Sequence, residues 1–455
     1  MHTTKFQKRL FGTNGVRGVV GKDMKPDLVL RIGQALGTMR KGRIAVGRDT
    51  RTSGETLVKA VKSGLLSMGC DVVDCGILPT PALQYLVKDQ FDGGAMITAS
   101  HNPPEYNGVK IIEADGTEMG DEETIRLEHL IFDTPPSPLP WDNAGHEIFA
   151  PYLIRNYIDA IVHQFPENTG SGLTVVVDPG SGPSCLTTPQ ILTGMGCRVF
   201  TVNGIMDGTF PGRLPEPSPD GLRTLADLVV SCGAAFGVAH DGDADRSVFI
   251  DENGSFIEEN QEFALIARHI CHQKKGALVT PVSTSQMVEM VAKNEGCTIH
   301  YTPVGSIYVA RTMLSLIGEG RSVVFGGEGN GGLIFPDHQF CRDGGMTAAM
   351  MVSILSQEKQ QLSALIGTLP RRTMIKDKIS TLQGADVLEE IKNIYKNETL
   401  DLTDGVKIFR KNSWALVRAS GTEPIMRIII DAENARYGQD FHRDLMDHIS
   451  AVSRQ

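Results

Sequence analysis

Gly69-Cys70-Asp71-Val72-Val73-Asp74 sets a glycine and a cysteine before a short β-branched run, and the pair returns in Gly196-Cys197-Arg198-Val199-Phe200 and Gly296-Cys297-Thr298-Ile299-His300. Each stretch reads as a buried strand opened by the Gly-Cys pair. The surroundings repeat as well. Residues 43–49, 173–178 and 276–280 read as a preceding strand, and 93–97, 233–239 and 321–325 as a following one, with helical segments such as 54–68 between. Three β-α-β-α-β units predict three related α/β domains with mixed, mostly parallel sheets.

In open α/β sheets, ligands bind beyond the C-terminal strand ends. The third strand of each unit runs into a loop there, and the three loops differ in chemistry. The first is Thr98-Ala99-Ser100-His101-Asn102-Pro103-Pro104. Its prolines stop regular structure, so Ser100 is either a usable hydroxyl or part of a turn closed by its own side chains. The second, His240-Asp241-Gly242-Asp243-Ala244-Asp245-Arg246, alternates three acids. An extended chain would put these carboxylates on one side at roughly 6–7 Å spacing, where they repel unless a cation intervenes. A hard divalent ion such as Mg²⁺ answers that need. A solvated acidic turn is the plainer alternative. An EF-hand fits poorly, because Arg246 stands where its sharp turn needs glycine. The third loop, Gly326-Gly327-Glu328-Gly329-Asn330-Gly331-Gly332, offers an acid and an amide suited to sugar hydroxyls.

Two further stretches suit anions. Phe11-Gly12-Thr13-Asn14-Gly15-Val16-Arg17-Gly18 is a glycine-dense turn carrying one arginine. Arg418-Ala419-Ser420-Gly421-Thr422-Glu423-Pro424 combines an arginine fork with hydroxyls and turn N–H groups, a phosphate nest or else a polar hairpin loop. It is not a Walker A sequence, so nucleotide hydrolysis is unsupported.

A chain of 455 residues is too long for one core, and its 41% hydrophobic content allows several. Breaks at the proline-rich 135–140, near 251–254 and near 369–372 divide it into 1–150, 151–253, 254–368 and 369–455. The last reads as a smaller α+β domain: helix, strands at 406–409, 414–417 and 425–432, then a helix from 436. A formal charge of −10 argues against a nucleic-acid surface or a polybasic membrane anchor. With neither an apolar leader nor an uninterrupted apolar run of ~18 residues, the chain reads as cytoplasmic. Eight cysteines without a CxxC pair read as buried reduced thiols.

Thr-Ala-Ser-His-Asn-Pro, Asp-Gly-Asp-Ala-Asp-Arg, Gly-Gly-Glu-x-Asn-Gly-Gly and Arg-Ala-Ser-Gly-Thr-Glu-Pro, in this order, resemble the four signature loops of the α-D-phosphohexomutase superfamily. The opening Phe-Gly-Thr-Asn-Gly-Val-Arg-Gly is similar to its N-terminal motif. The resemblance implies a phosphoserine at Ser100, with Ser100, Asp241, Asp243 and Asp245 around one Mg²⁺ and Arg246 on the phosphate. It implies Glu328 and Asn330 on the sugar, and Arg418, Ser420, Gly421 and Thr422 on the non-reacting phosphate. Arg17, His101 and Lys110 would line the reacting centre, with a hexose 1,6-bisphosphate as activator. It further implies a C-terminal domain like the TATA-binding protein, phosphosugars as partners, and a monomer or homodimer.

Asn330-Gly331-Gly332 stands where glucose and mannose enzymes of the family usually carry Ser-Gly-His, and it resembles the archaeal phosphoglucosamine mutase branch. Gly332 removes a histidine from that place and leaves Lys110 or His101 as proton carrier. Asn14, Pro303 and Ser306 also depart from residues common in the family. A phosphomannomutase/phosphoglucomutase is the alternative within the family. A phosphosugar-binding protein without turnover and a phosphatase are the alternatives outside it.

Overall fold

The computed structural model describes residues 8–12, 14–88, 90–380, 384–419 and 425–452. The chain forms two compact units, Met1–Glu262 with Gly331–Gly367, and Phe263–Asn330 with Thr368–Gln455. Among the described residues no helix is long and apolar enough to cross a membrane.

The first unit holds two sheets. One contains β1 (Val16–Val19), β2 (Arg43–Arg48), β3 (Asp71–Ile77), β4 (Gly93–Ile97), β5 (Tyr106–Glu113) and β6 (Glu147–Phe149) in the order β1-β5-β4-β2-β3-β6. β4, β2, β3 and β6 run parallel, whereas β5 is antiparallel to both β4 and β1. All five residues of β4 are buried. Small side chains in Gly93-Gly94-Ala95 suit a strand covered on both faces. The second sheet has β7 (Thr174–Asp178), β8 (Arg198–Thr201), β9 (Phe236–His240) and β10 (Ser247–Asp251) in the order β10-β9-β7-β8, with β10 antiparallel to β9.

In the second unit, β11 (Ala277–Pro281) lies parallel between β12 (Thr298–Thr302) and β13 (Val323–Glu328). The repeated strands therefore take one spatial order, third-first-second, in every copy. After β14 (Gly332–Ile334), in the first unit, the chain enters an antiparallel sheet in the second. Its strands are β15 (Thr373–Ser380), β16 (Thr399–Asp401), β17 (Val406–Arg410), β18 (Ser413–Ala419) and β19 (Ile425–Ala432), ordered β15-β19-β18-β17-β16. Helices Gly384–Ile394 and Ala435–Val452 pack on it through Val387, Ile391, Phe441 and Leu445. Burying each such side chain stabilises by roughly 1.5–3 kcal/mol.

The Gly-Cys pairs turn out to end helices rather than begin strands. Gly69, Gly196 and Gly296 have φ of +79°, +94° and +75°. The next N–H, of Cys70, Cys197 or Cys297, donates to the carbonyl of Leu65, Leu192 or Ala292, five residues back. This is the Schellman arrangement, in which glycine takes the left-handed position and an apolar residue follows. The strands start after the thiol, which is buried in all three copies. β15 and β6 are elements that the sequence reading did not separate from their surroundings.

Candidate active site

The Ser100 loop is held from beneath by Arg51. Its guanidinium, with no exposed surface, donates from Nη2 to the carbonyls of Ser100 (2.7 Å) and Asn102 (2.6 Å) and from Nη1 to those of Pro103 (2.6 Å) and Tyr106 (3.0 Å). Asp49 orients the arginine through Nε at 3.1 Å and accepts from Thr98 Oγ1 at 2.7 Å. Thr98 Oγ1 in turn accepts the Ser100 N–H at 2.9 Å. Ser100 itself adopts φ +50°, a backbone conformation that costs a non-glycine residue about 1–3 kcal/mol. The four carbonyl contacts hold it there.

Ser100 Oγ donates to Asp241 Oδ2 at 2.9 Å, and His101 Nδ1 lies 3.4 Å from the same oxygen. Asp241, Asp243 and Asp245 come from the tight β9–β10 connection, in which Ala244 takes φ +58°. One oxygen from each lies within 4.8 Å of the others, and all three residues are buried. Thr80 Oγ1 donates to Asp243 at 2.6 Å. Lys110, from β5, reaches Asp243 at 2.8 Å and Asp245 at 3.0 Å, and Arg342 reaches Asp245 at 2.5 Å. Arg246 joins Asp241 (3.1 Å) to Glu216 (3.0 Å), which also faces His101 Nε2 at 3.5 Å. Arg17 approaches this corner through Asn102 at 3.1 Å.

The electrostatics follow from burial and neighbours. Burial, with Asp245 adding to it, pushes Asp241 up to about 7. Burial acts the same way on Asp245, but Arg342, Lys110 and Arg246 outweigh it and hold that carboxyl below its usual range. Burial opposes charge on Lys110, yet Asp243 and Asp245 hold its pKa above the ordinary lysine value. Burial and then Arg246 lower His101 to about 4. Burial and the crowding of like charges thus give the carboxyls unequal proton affinity. Asp243 Oδ1 and Asp245 Oδ1 are buried without hydrogen-bond partners. Oxygen atoms so clustered and unsatisfied fit a hard divalent cation.

The second unit carries Glu328 at the end of β13, buried, with its carbonyl accepting the Asn330 N–H at 2.7 Å. Arg418 lies near the end of β18 and pairs with Asp404 at 3.2 Å. Ser420, Gly421 and Thr422 lie outside the described residues. Glu216, Arg342, Thr80, Asp49 and Arg51 are site neighbours that the sequence reading missed. Asp49 carried a usable signal, since it follows the first strand of its unit as Asp178 ends the first strand of the next. Glu216 and Arg342 sit in irregular stretches with no such marker.

The anchoring scheme recurs. Asp178 holds Arg213 at 2.8 Å, and Arg213 Nη2 donates to the His240 carbonyl at 2.7 Å, where the aspartate loop begins. In the third copy Thr280 Oγ1 donates to the Gly327 carbonyl at 2.9 Å. A residue within one position of the end of each first strand thus fastens, directly or through an arginine, the backbone that delivers each loop.

Comparison with known proteins agrees with this architecture. Models of the phosphoglucomutase/phosphomannomutase α/β/α domains I, II and III match residues 8–136, 155–254 and 258–373, and that of the C-terminal domain matches 374–448. The chain is 43% identical to a phosphoglucomutase/phosphomannomutase of Thermococcus kodakarensis, over 95% of this chain and 96% of that protein. It is 39% identical to a probable phosphoglucosamine mutase of Methanopyrus kandleri, over 96% and 97%. Identity is 36% to a phosphoglucosamine/phosphogalactosamine mutase of Sulfurisphaera tokodaii, over 96% and 98%. Among solved structures, a phosphoglucomutase/phosphomannomutase family protein of Burkholderia thailandensis shares the fold with a TM-score of 0.87 at 24% identity, covering 97% of each chain. An Aspergillus fumigatus N-acetylphosphoglucosamine mutase, solved with GlcNAc-6P and magnesium, shares it with a TM-score of 0.65 at 14% identity, over 98% and 96%. Matched in order by all four domain models, and nearly end to end by these archaeal relatives, the chain belongs to the phosphoglucomutase/phosphomannomutase family of phosphohexomutases.

Proposed function

We propose that this chain is a phosphoglucosamine mutase, interconverting glucosamine 6-phosphate and glucosamine 1-phosphate through a phosphorylated Ser100 and a 1,6-bisphosphate. The observation that carries the chemistry is the Ser100 hydroxyl bonded at 2.9 Å into a buried three-aspartate cluster. The archaeal relatives named for glucosamine phosphate, and Asn330 in the sugar loop, support the choice of sugar.

On this reading residues 1–150 carry the phosphoserine, 151–253 the metal ligands, 254–368 the sugar loop and 369–455 the phosphate loop. Asp241, Asp243 and Asp245, with the phosphate on Ser100, hold Mg²⁺. That ion, when bound, neutralises charge developing on the transferred group. Arg246 and Arg17 supply further positive charge at the same place. A sugar hydroxyl takes the phosphoryl group from Ser100 Oγ and gives up its proton to a neighbouring base. His101, 3.4 Å from Ser100 Oγ, is the candidate acceptor for that proton, and Lys110, paired with Asp243 and Asp245 and so held charged, is the candidate donor on its return. The bisphosphate then presents its other end, and Ser100 Oγ recovers a phosphoryl group while the product hydroxyl regains a proton. Glu328 and Asn330 grip the sugar. Arg418, Ser420, Gly421 and Thr422 hold whichever phosphate is not reacting. A hexose 1,6-bisphosphate primes the serine.

The name of the Thermococcus relative favours a second reading, a phosphomannomutase/phosphoglucomutase with the same mechanism. The test compares kcat/KM for the 1-phosphates of glucosamine, mannose and glucose, with Mg²⁺ and the matching 1,6-bisphosphate. Preference for glucosamine 1-phosphate supports the first reading, and preference for mannose or glucose the second. Ser100→Ala abolishes turnover in either case; retained turnover refutes the phosphoserine.

A further inference from the structure

Arg418 does not stand alone at the end of β18. The turn between β16 and β17 is closed by Asp401, which accepts from the N–H (2.8 Å) and hydroxyl (2.6 Å) of Thr403. Asp404 follows, and then Gly405 at φ +74°. A Cβ on Gly405 would lie 2.3 Å from the Val417 carbonyl and 2.8 Å from Arg418 Cβ, so glycine lets the turn press directly onto β18. Asp404 Oδ2 then lies 3.2 Å from Arg418 Nε. The same oxygen accepts the Val304 N–H at 2.9 Å, from the loop that follows β12.

Other ties join the two layers of this unit at the same strand ends. Lys407 Nζ donates to the Val282 carbonyl at 2.7 Å, just past β11, with its ammonium 4.0 Å from the centre of the Trp414 ring. The buried Asp431 of β19 accepts from Ser285 Oγ and the Gln286 N–H and pairs with Arg372. Lys407 and Asp431 fasten layer to layer. Asp404 differs, because its oxygen is shared between the Val304 loop and the arginine read as a phosphate ligand.

We propose that Asp404 is a positioning residue for phosphate recognition. Its charge holds the Arg418 guanidinium through an ion pair at Nε, a 3.2 Å approach outside hydrogen-bond geometry, and sets that orientation against the 302–306 loop so that the two terminal nitrogens are presented to an anion. This rests on the reading of Arg418 as a holder of the non-reacting phosphate. A long side chain immobilised before the ligand arrives spares the complex its ordering entropy, worth a factor of roughly three to ten in affinity. The non-reacting phosphate is held equally in ground and transition states, so the effect falls on KM rather than kcat.

The experiment is a double-mutant cycle with glucosamine 1-phosphate, measuring kcat, KM and thermal midpoint for Asp404→Asn, Arg418→Ala and the double variant. Asparagine retains an oxygen for the Val304 N–H and removes the charge that faces Arg418. Asp404→Asn is expected to raise KM roughly threefold to tenfold with kcat and midpoint little changed, and to add nothing in the Arg418→Ala background. An unchanged KM for Asp404→Asn beside a raised KM for Arg418→Ala overturns the proposal and leaves Arg418 in place. So do effects that multiply independently. An unchanged KM for Arg418→Ala overturns the phosphate reading itself, and the proposal with it.

Discussion

Arg51 Nη2 donates to the carbonyl oxygen of Ser100 at 2.7 Å, and neither side chain is reachable by solvent to any useful degree. The Ser100 backbone is therefore set from the interior, by a residue with no exposed surface. Removing it leaves the Asp49 carboxylate buried and unpaired, along with four freed carbonyls. Arg51→Ala is expected to lower unfolding free energy by about 3–5 kcal/mol in urea titrations. Ser100 phosphorylation by a hexose 1,6-bisphosphate should fall with it. A loss below about 1 kcal/mol would show that the loop holds its φ +50° serine without the arginine.

Divalent cation should stabilise the fold as well as support turnover. Ligand binding to the native state adds about 2.7 kcal/mol at a hundredfold excess over Kd. Mg²⁺ should raise the melting temperature of the wild-type chain and leave Asp245→Asn nearly unmoved, as scanning calorimetry would report. An equal rise in that variant would place the cation elsewhere.

Glu262 offers a pH dependence independent of the site. It is fully buried in helix Glu259–Gln273, and neither carboxylate oxygen has a hydrogen-bond partner. Burial, with Glu259 and Glu258 adding to it, raises its pKa well above 4.5. A carboxyl whose folded-state pKa is raised contributes stability that is complete below the unfolded value and is lost as pH climbs toward the folded one. Stability of the wild-type chain should therefore decline from pH 5 to pH 8 relative to Glu262→Met, by up to about 1.4 kcal/mol per pH unit. Parallel curves for the two proteins, measured by denaturant unfolding across that range, would contradict it.

Much of the fold was legible because the same pattern is written three times. Periodic apolar runs marked β2, β7 and β11, and the strands beside them, to within a few residues. The Gly-Cys pairs misled about where strands begin, since a residue that ends a helix at positive φ and one that starts a strand look alike in one dimension. β15 was missed because its exposed alternation of Lys376, Asp377 and Lys378 resembles a solvated segment. The aspartate cluster is local in sequence and could be read directly. Arg342 and Glu216 become neighbours of it only across 97 and 30 residues of chain, to Asp245 and Arg246 respectively, and Lys110, 133 residues from Asp243, was within reach only through the family resemblance. Contacts of that span depend on topology, which no spacing rule within a motif encodes.

The anchors beneath the loops grip each loop by its main-chain oxygen: Arg51 at Ser100, Arg213 at His240, Thr280 at Gly327. A fastening of that kind is indifferent to side-chain identity. Units that share one strand order can then carry a hydroxyl, a carboxylate or an amide in the loop without disturbing the bed on which it rests. Division of labour among related domains needs that insulation, and here it amounts to a single anchoring side chain in each.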